Sequence, residues 1–193
     1  MSLSKQAKTL SKHQQTTVLS FLQGTRHPER NRLIFLLSVR ADLRAKEISN
    51  IRWRMVMDSE GTISDSINLH NEASKGNSGG IIWLNKELKQ ALETYLKPDD
   101  QPDDFIIRTR TRKSTSPQVI VNMFYDWYGK MGFNGCSSHS GRRTFITNAA
   151  RKISSVGGSI KDVQMLARHS SLNMTQRYIE SDIEAQKKVV DMI

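Results

Sequence analysis

The sequence holds one cysteine, Cys136, among its 193 residues, with only four prolines and a shortage of acids. A single cysteine excludes an internal disulfide and a thiolate metal cluster, and it suits a reducing compartment. The longest apolar stretch, around Leu33 to Val39, is far short of the roughly 20 residues that cross a bilayer. The start, Met1-Ser2-Leu3-Ser4-Lys5, has no apolar core of signal-peptide length. Internal repeats and low-complexity tracts are also missing. Asp and Glu total 19 against 29 Lys and Arg, a formal net charge of +10. That excess favours a polyanionic partner, nucleic acid first and an anionic membrane surface second; a merely basic soluble surface is the plainer alternative. Cysteines and clustered carboxylates at metal-ligand spacing are lacking, so no metal and no cofactor are expected. The expected setting is cytoplasmic and nucleoid-associated, without a membrane partner.

What is present suffices for one core. Hydrophobic residues make up 37% and charged residues 25%, the balance of a globular domain. Residues 1–9 read as a leader, in which Met1-Ser2-Leu3 could be a cloning remnant; 10–181 read as the domain and 182–193 as an amphipathic tail helix. Leu33, Ile34, Leu36 and Leu37 lie in a segment dense enough for a buried helix. Asp42 reads as the N-cap of the next helix, with Ala45, Ile48 and Ile51 on one face. Residues 53–58, 64–69 and 80–84, separated by Ser59-Glu60-Gly61 and Gly76-Asn77-Ser78-Gly79, predict three short antiparallel strands. Helices return over 85–97, behind the Ser116-Pro117 cap, over 141–152, and after Ser159, whose Asp162 partner makes a capping box. The expected fold is mainly α with a small antiparallel three-stranded sheet.

Three local patterns invite a chemical reading. Arg44 heads a helix with Glu47 three residues on. His139-Ser140-Gly141-Arg142-Arg143 contains His-x-x-Arg. Arg168-His169-Ser170-Ser171 precedes Thr175-Gln176-Arg177-Tyr178. Singly, each has an ordinary explanation: a surface arginine, a capping histidine, a core tyrosine. Together, and in this order, they resemble the tyrosine recombinases, the phage-integrase family, over roughly residues 10–183.

The resemblance implies a catalytic set of Arg44, Lys75, His139, Arg142, His169 and Tyr178, with Glu47 in support. Cleaving a DNA phosphodiester without metal or ATP needs an attacking oxygen, a proton for the leaving group and cations for the phosphate oxygens. Tyrosine ionises near pH 10, so Tyr178 would need cationic neighbours or a base. Arg44 and Arg142 would grip the non-bridging oxygens as charged forks, and His169 would add a hydrogen bond. His139 would exchange a proton with Tyr178, and Lys75 would protonate the departing 5′-oxygen. Neither catalytic arginine is expected in the core.

The implied product is a 3′-phosphotyrosyl link, the intermediate of site-specific integration, excision or inversion. A type IB topoisomerase or a DNA-binding module without activity of its own are the alternatives. The implied partner is double-stranded DNA, bound by a homo-tetramer on paired sites, with a monomer or dimer in its absence. Arg108, Arg110, Arg112 and Lys113 form a basic run read as a phosphate-contacting loop, with a solvated loop as the plainer alternative. Arg143 and Arg168 are further candidate DNA contacts. The chain departs from the family's habits at three points. Asp42 and Arg168 stand where glycine is usual, and only a short leader is read where the resemblance implies an N-terminal DNA-clamping domain, so a minimal recombinase or a fragment is expected.

Overall fold

The computed structural model describes residues 6–73, 79–109, 111, 113–179 and 183–192. Helix α1, Lys12–Gln23, starts at Ser11, whose side chain accepts the Gln14 N–H while Gln14 returns a bond to the Ser11 N–H at 2.9 Å. Helix α2, Pro28–Ala41, has proline in its first turn and is buried on nearly every face from Leu33 to Val39. A helix apolar all round belongs in the centre of a domain, and α2 packs against α1, α4 (Lys86–Tyr95) and α6 (Ser140–Lys152). Helices α3, Ala45–Asn50, and α5, Pro117–Lys130, close a second side of the same core.

Asp42 does not begin a helix. It ends α2 in a left-handed conformation (φ 58°), and α3 starts three residues later with Arg44 as its cap residue. Glu47 takes the capping role, accepting the Arg44 N–H at 2.8 Å. Aspartate suits both ends of a turn, so its identity alone did not fix which helix it served.

The sheet is also smaller than expected. The described residues form two strands, β1 (Ser66–Leu69) and β2 (Gly80–Trp83), antiparallel with Ser66 opposite Trp83. Residues 53–58 do not make the third. Trp53–Met55 is a 3₁₀ turn, and Met57 meets Ile63 only in an isolated bridge. Trp53 and Val56 are both buried, a spacing of three that follows a helical turn better than an alternating strand. Asp58 completes the following turn by accepting the N–H groups of Glu60 and Thr62.

A smaller apolar cluster, Ile146, Val163 and Ala167, joins α6 to α7 (Ile160–Leu166), and Tyr178 packs against it. Helix α8, Leu172–Gln176, follows α7, and α9, Ile183–Val190, lies near the end of the chain. The capping box expected at Ser159 is present: Asp162 accepts the Ser159 N–H at 2.7 Å. Among the described residues no helix is long and apolar enough to cross a membrane.

Candidate active site

Four chain segments meet where α2 ends. The approach of α6 to α2 is so close that a Cβ added to Gly141 would lie 2.2 Å from the Ser38 hydroxyl and 2.9 Å from its Cβ. Only glycine admits that contact, and it brings the next residue, Arg142, under the α2–α3 connection. There Arg142 Nη1 donates to the Asp42 carbonyl at 2.9 Å and to the Asp42 carboxylate, while Nη2 donates to the Ala167 carbonyl at 2.9 Å. Three bonds leave further N–H groups of the guanidinium for an incoming oxyanion.

Arg142 is 4% exposed, contrary to the expectation that neither catalytic arginine lies in the core. Its charge is tolerated because Asp42 and two carbonyls surround it. Burial lowers its pKa, Asp42 opposes that, and Tyr178 is near enough to act on it too. Asp42 is itself wholly buried, and burial pushes its carboxyl up to about 8 against the pull of Arg142, Arg168 and Arg44. One of its carboxyl oxygens, Oδ1, has no hydrogen-bond partner among the described residues.

Arg44 is partly exposed at 23% and pairs with the fully buried Glu47 at 2.9 Å. Glu47 thus binds both the Arg44 backbone and its side chain. Arg168 reaches the same carboxylate, at 3.2 and 3.4 Å. Its side chain is 6% exposed, with the fork turned onto Glu47. The left-handed conformation of Arg168 (φ 51°) ends the turn after α7 and sets the direction of His169.

His169 is buried; its Nδ1 lies 2.9 Å from the Thr175 hydroxyl. Burial first, then the arginines 142, 44 and 168, lower its pKa to about 4, so the ring is neutral near pH 7. When Nδ1 accepts from Thr175, the proton sits on Nε2, which is then a donor for a phosphate oxygen. Gln164 fixes the backbone, donating to the His169 carbonyl and accepting its N–H. Tyr178 stacks on His169, ring centroids 5.5 Å apart and planes inclined by 27°. Its carbonyl accepts the Thr147 hydroxyl of α6 at 3.1 Å.

His139 is the cap residue of α6, exposed, and one helical turn before Arg142. Arg44, Glu47, Arg142, Arg168, His169 and Tyr178 therefore form one connected cluster, with His139 at its α6 margin. Lys75, Arg110 and Arg112 lie outside the described residues. Arg108 is turned inward onto Asp100 and Asp104 and is not held out to solvent; the acid-free run finds its acids in an earlier loop. Lys113 is exposed, and Arg143 bonds Gln6. Asp42 and Thr175 are the site residues that the motifs alone did not single out. Thr175, three residues before the tyrosine, had no signal beyond its polarity beside an otherwise apolar cluster. Among the described residues no three His, Cys, Asp or Glu side chains gather as they would around a metal.

The phage integrase family model matches residues 8–185. Tyrosine recombinase XerA of Thermococcus onnurineus (strain NA1) is 25% identical over 184 residues, covering 94% of this chain and 61% of the relative. The chain thus spans less than two thirds of that relative's length. Among solved structures, the Tn1549 transposon integrase in complex with a circular intermediate DNA superposes with a TM-score of 0.73 at 18% identity, over 96% of this chain and 65% of that one. XerH site-specific recombinase bound to its difH substrate gives 0.70 at 17% identity, over 98% and 55%. At these identities the likeness establishes the fold.

Proposed function

Since the chain belongs to the phage integrase family, we propose that it is a site-specific DNA recombinase that cleaves and rejoins strands with Tyr178 as nucleophile. The observation that carries this reading is the stack of Tyr178 on a His169 that burial and three arginines keep neutral. An in-line nucleophile, a neutral hydrogen-bond donor and two charged forks then surround the space a phosphate would take.

In this reading Arg44 and Arg142 bind the non-bridging oxygens through the N–H groups not already given to Glu47, Asp42 and Ala167. Preorganised donors of this kind are commonly the largest contribution to such catalysis. His169 donates through Nε2. His139 accepts the Tyr178 proton, and Lys75 supplies one to the leaving 5′-oxygen. The phosphorus–O5′ bond breaks as the phosphorus–tyrosyl oxygen bond forms, giving a 3′-phosphotyrosyl link and a 5′-hydroxyl. Attack by another 5′-hydroxyl reverses the balance, so neither metal nor ATP is consumed. Double-stranded DNA is the substrate, and a tetramer on paired sites is the working assembly. The choice of DNA is supported by the XerH and Tn1549 structures, whose proteins are bound to DNA; the tetramer is part of the proposal.

Covalent capture tests the assignment. The chain is mixed with a pool of nicked duplexes of randomised sequence, in which cleavage near the nick releases a short fragment and traps the protein. Adducts through Tyr178 are expected, and the captured duplexes report the recognition sequence. An adduct formed equally well by Tyr178→Phe would overturn the nucleophile.

A further inference from the structure

Asp42 and Arg168 are the only non-glycine residues with positive φ among those described. They are also the two positions at which the chain departs from glycine in its motifs. Left-handed backbone is unfavourable for a residue with a Cβ, so a long cation at such a turn needs a compensating contact. The contacts are specific. Arg168 Nη2 donates to Glu47 Oε2 at 3.2 Å and to the Asp42 carbonyl at 3.3 Å, and Nη1 lies 3.4 Å from Glu47 Oε1. Those two acceptors are the ones used by the phosphate-facing arginines: Glu47 Oε1 binds Arg44, and the Asp42 carbonyl binds Arg142.

Resting on the recombinase reading, we propose that Arg168 is a positioning residue. It takes up the charge of Glu47, so that Arg44 keeps its own for the DNA phosphate, and through the Asp42 carbonyl it ties the Arg44 and Arg142 arms together. Charge counting gives the reason. Arg44 and Glu47 by themselves sum to zero, a poor welcome for an anion. With Arg168 added, the three side chains carry one net positive charge while Glu47 still caps α3. A fully buried Glu47 held by one partly exposed arginine would also be poorly compensated, and Arg168 completes its surroundings. Arg168 does not itself reach for DNA, since its fork is turned inward and its side chain is buried.

The test compares Arg168→Gly, Glu47→Gln, the double variant and Arg168→Lys in single-turnover adduct formation on the captured nicked duplex. Glycine relieves the left-handed turn, so a slower reaction cannot be ascribed to a strained backbone. Arg168→Gly is expected to slow adduct formation by about tenfold or more, with weaker half-saturation by DNA, a coupling in the range known for charge networks. Adding Glu47→Gln to it should restore most of the rate, because the charge to be neutralised has gone. Arg168→Lys should fall between Arg168→Gly and the unaltered chain. A wild-type rate in Arg168→Gly, or effects that simply multiply in the double variant, would overturn the proposal. If the unaltered chain forms no adduct, the recombinase reading fails instead. Urea denaturation of Arg168→Gly, Glu47→Gln and their double then decides the pairing without DNA: coupled stabilities support it and additive ones overturn it.

Discussion

Arg142 and Arg44 share a proposed chemical task but not a surrounding, and substitution separates the two. Arg142→Ala leaves the Asp42 carboxyl and the Asp42 and Ala167 carbonyls buried without the guanidinium donor and should destabilise the fold by about 3–5 kcal/mol, at roughly 1–3 for each unsatisfied group. Arg44→Ala, at a partly exposed site where Arg168 still holds Glu47, should cost roughly 1–2 kcal/mol. Both should slow adduct formation by about a hundredfold or more, as removal of a preorganised donor does. Urea denaturation beside the adduct assay reads the difference; equal stability losses would show that Asp42 does not depend on Arg142. The ionisable pair Asp42 and His169 also gives a pH signature. His169 is lowered from 6.5 to about 4, so the unfolded chain binds its proton first and stability drops as pH falls through that window. Asp42 is raised from 3.8 to about 8, so the folded chain keeps a proton the unfolded one has lost, and stability drops as pH rises. Between about pH 4 and 6.5 the two trends oppose; from about 6.5 to 8 only that of Asp42 remains, worth roughly 2 kcal/mol. The unaltered chain should therefore weaken in urea over that upper window, while Asp42→Asn should not.

At the scale of elements, the contact between α2 and α6 decides whether the site assembles. Gly141→Ala forces the helices apart at Ser38 and should cost about 1–3 kcal/mol, with Arg142 displaced from Asp42 and a slower reaction. Ser38→Ala should rescue it only in part, because Ser38 Cβ and its backbone carbon would still lie 2.9 and 3.0 Å from the new methyl. Full rescue in urea denaturation and adduct rate would mean the hydroxyl alone sets the spacing. Helix boundaries with a local chemical cause, Ser116-Pro117 and Ser159 with Asp162, were legible in the sequence. The expected third strand was not real, because Trp53 and Val56 serve the core through a 3₁₀ turn whose spacing a short apolar segment cannot distinguish from a strand. Asp42 misled for a similar reason: aspartate serves either end of a helix turn, and its bond to Arg142 joins it to a residue a hundred positions away.

For the whole molecule, net charge states that a polyanion is favoured but not where it lies. Arg108 shows the limit, since its charge is absorbed by Asp100 and Asp104 of the preceding loop. Helix α9 presents Val189 and Val190 to solvent, with Met192 just beyond it. A terminal helix offered to the next protomer could close head-to-tail into the proposed tetramer. Truncation after Ser181 should leave binding to a single site in place while synaptic complexes and strand exchange are lost, as read by native gels and product analysis. Unchanged synapsis would deprive the tail of that part. The sequence by itself determined the family and the mainly helical class and singled out Arg44, His139, Arg142, His169 and Tyr178 as candidates, because motif order and local spacing are written along the chain. Only the tertiary structure decided that Arg142 is buried, that Asp42 grips it and that Arg168 turns inward onto Glu47. Burial and charge compensation arise between segments far apart in the chain, and no local pattern encodes them.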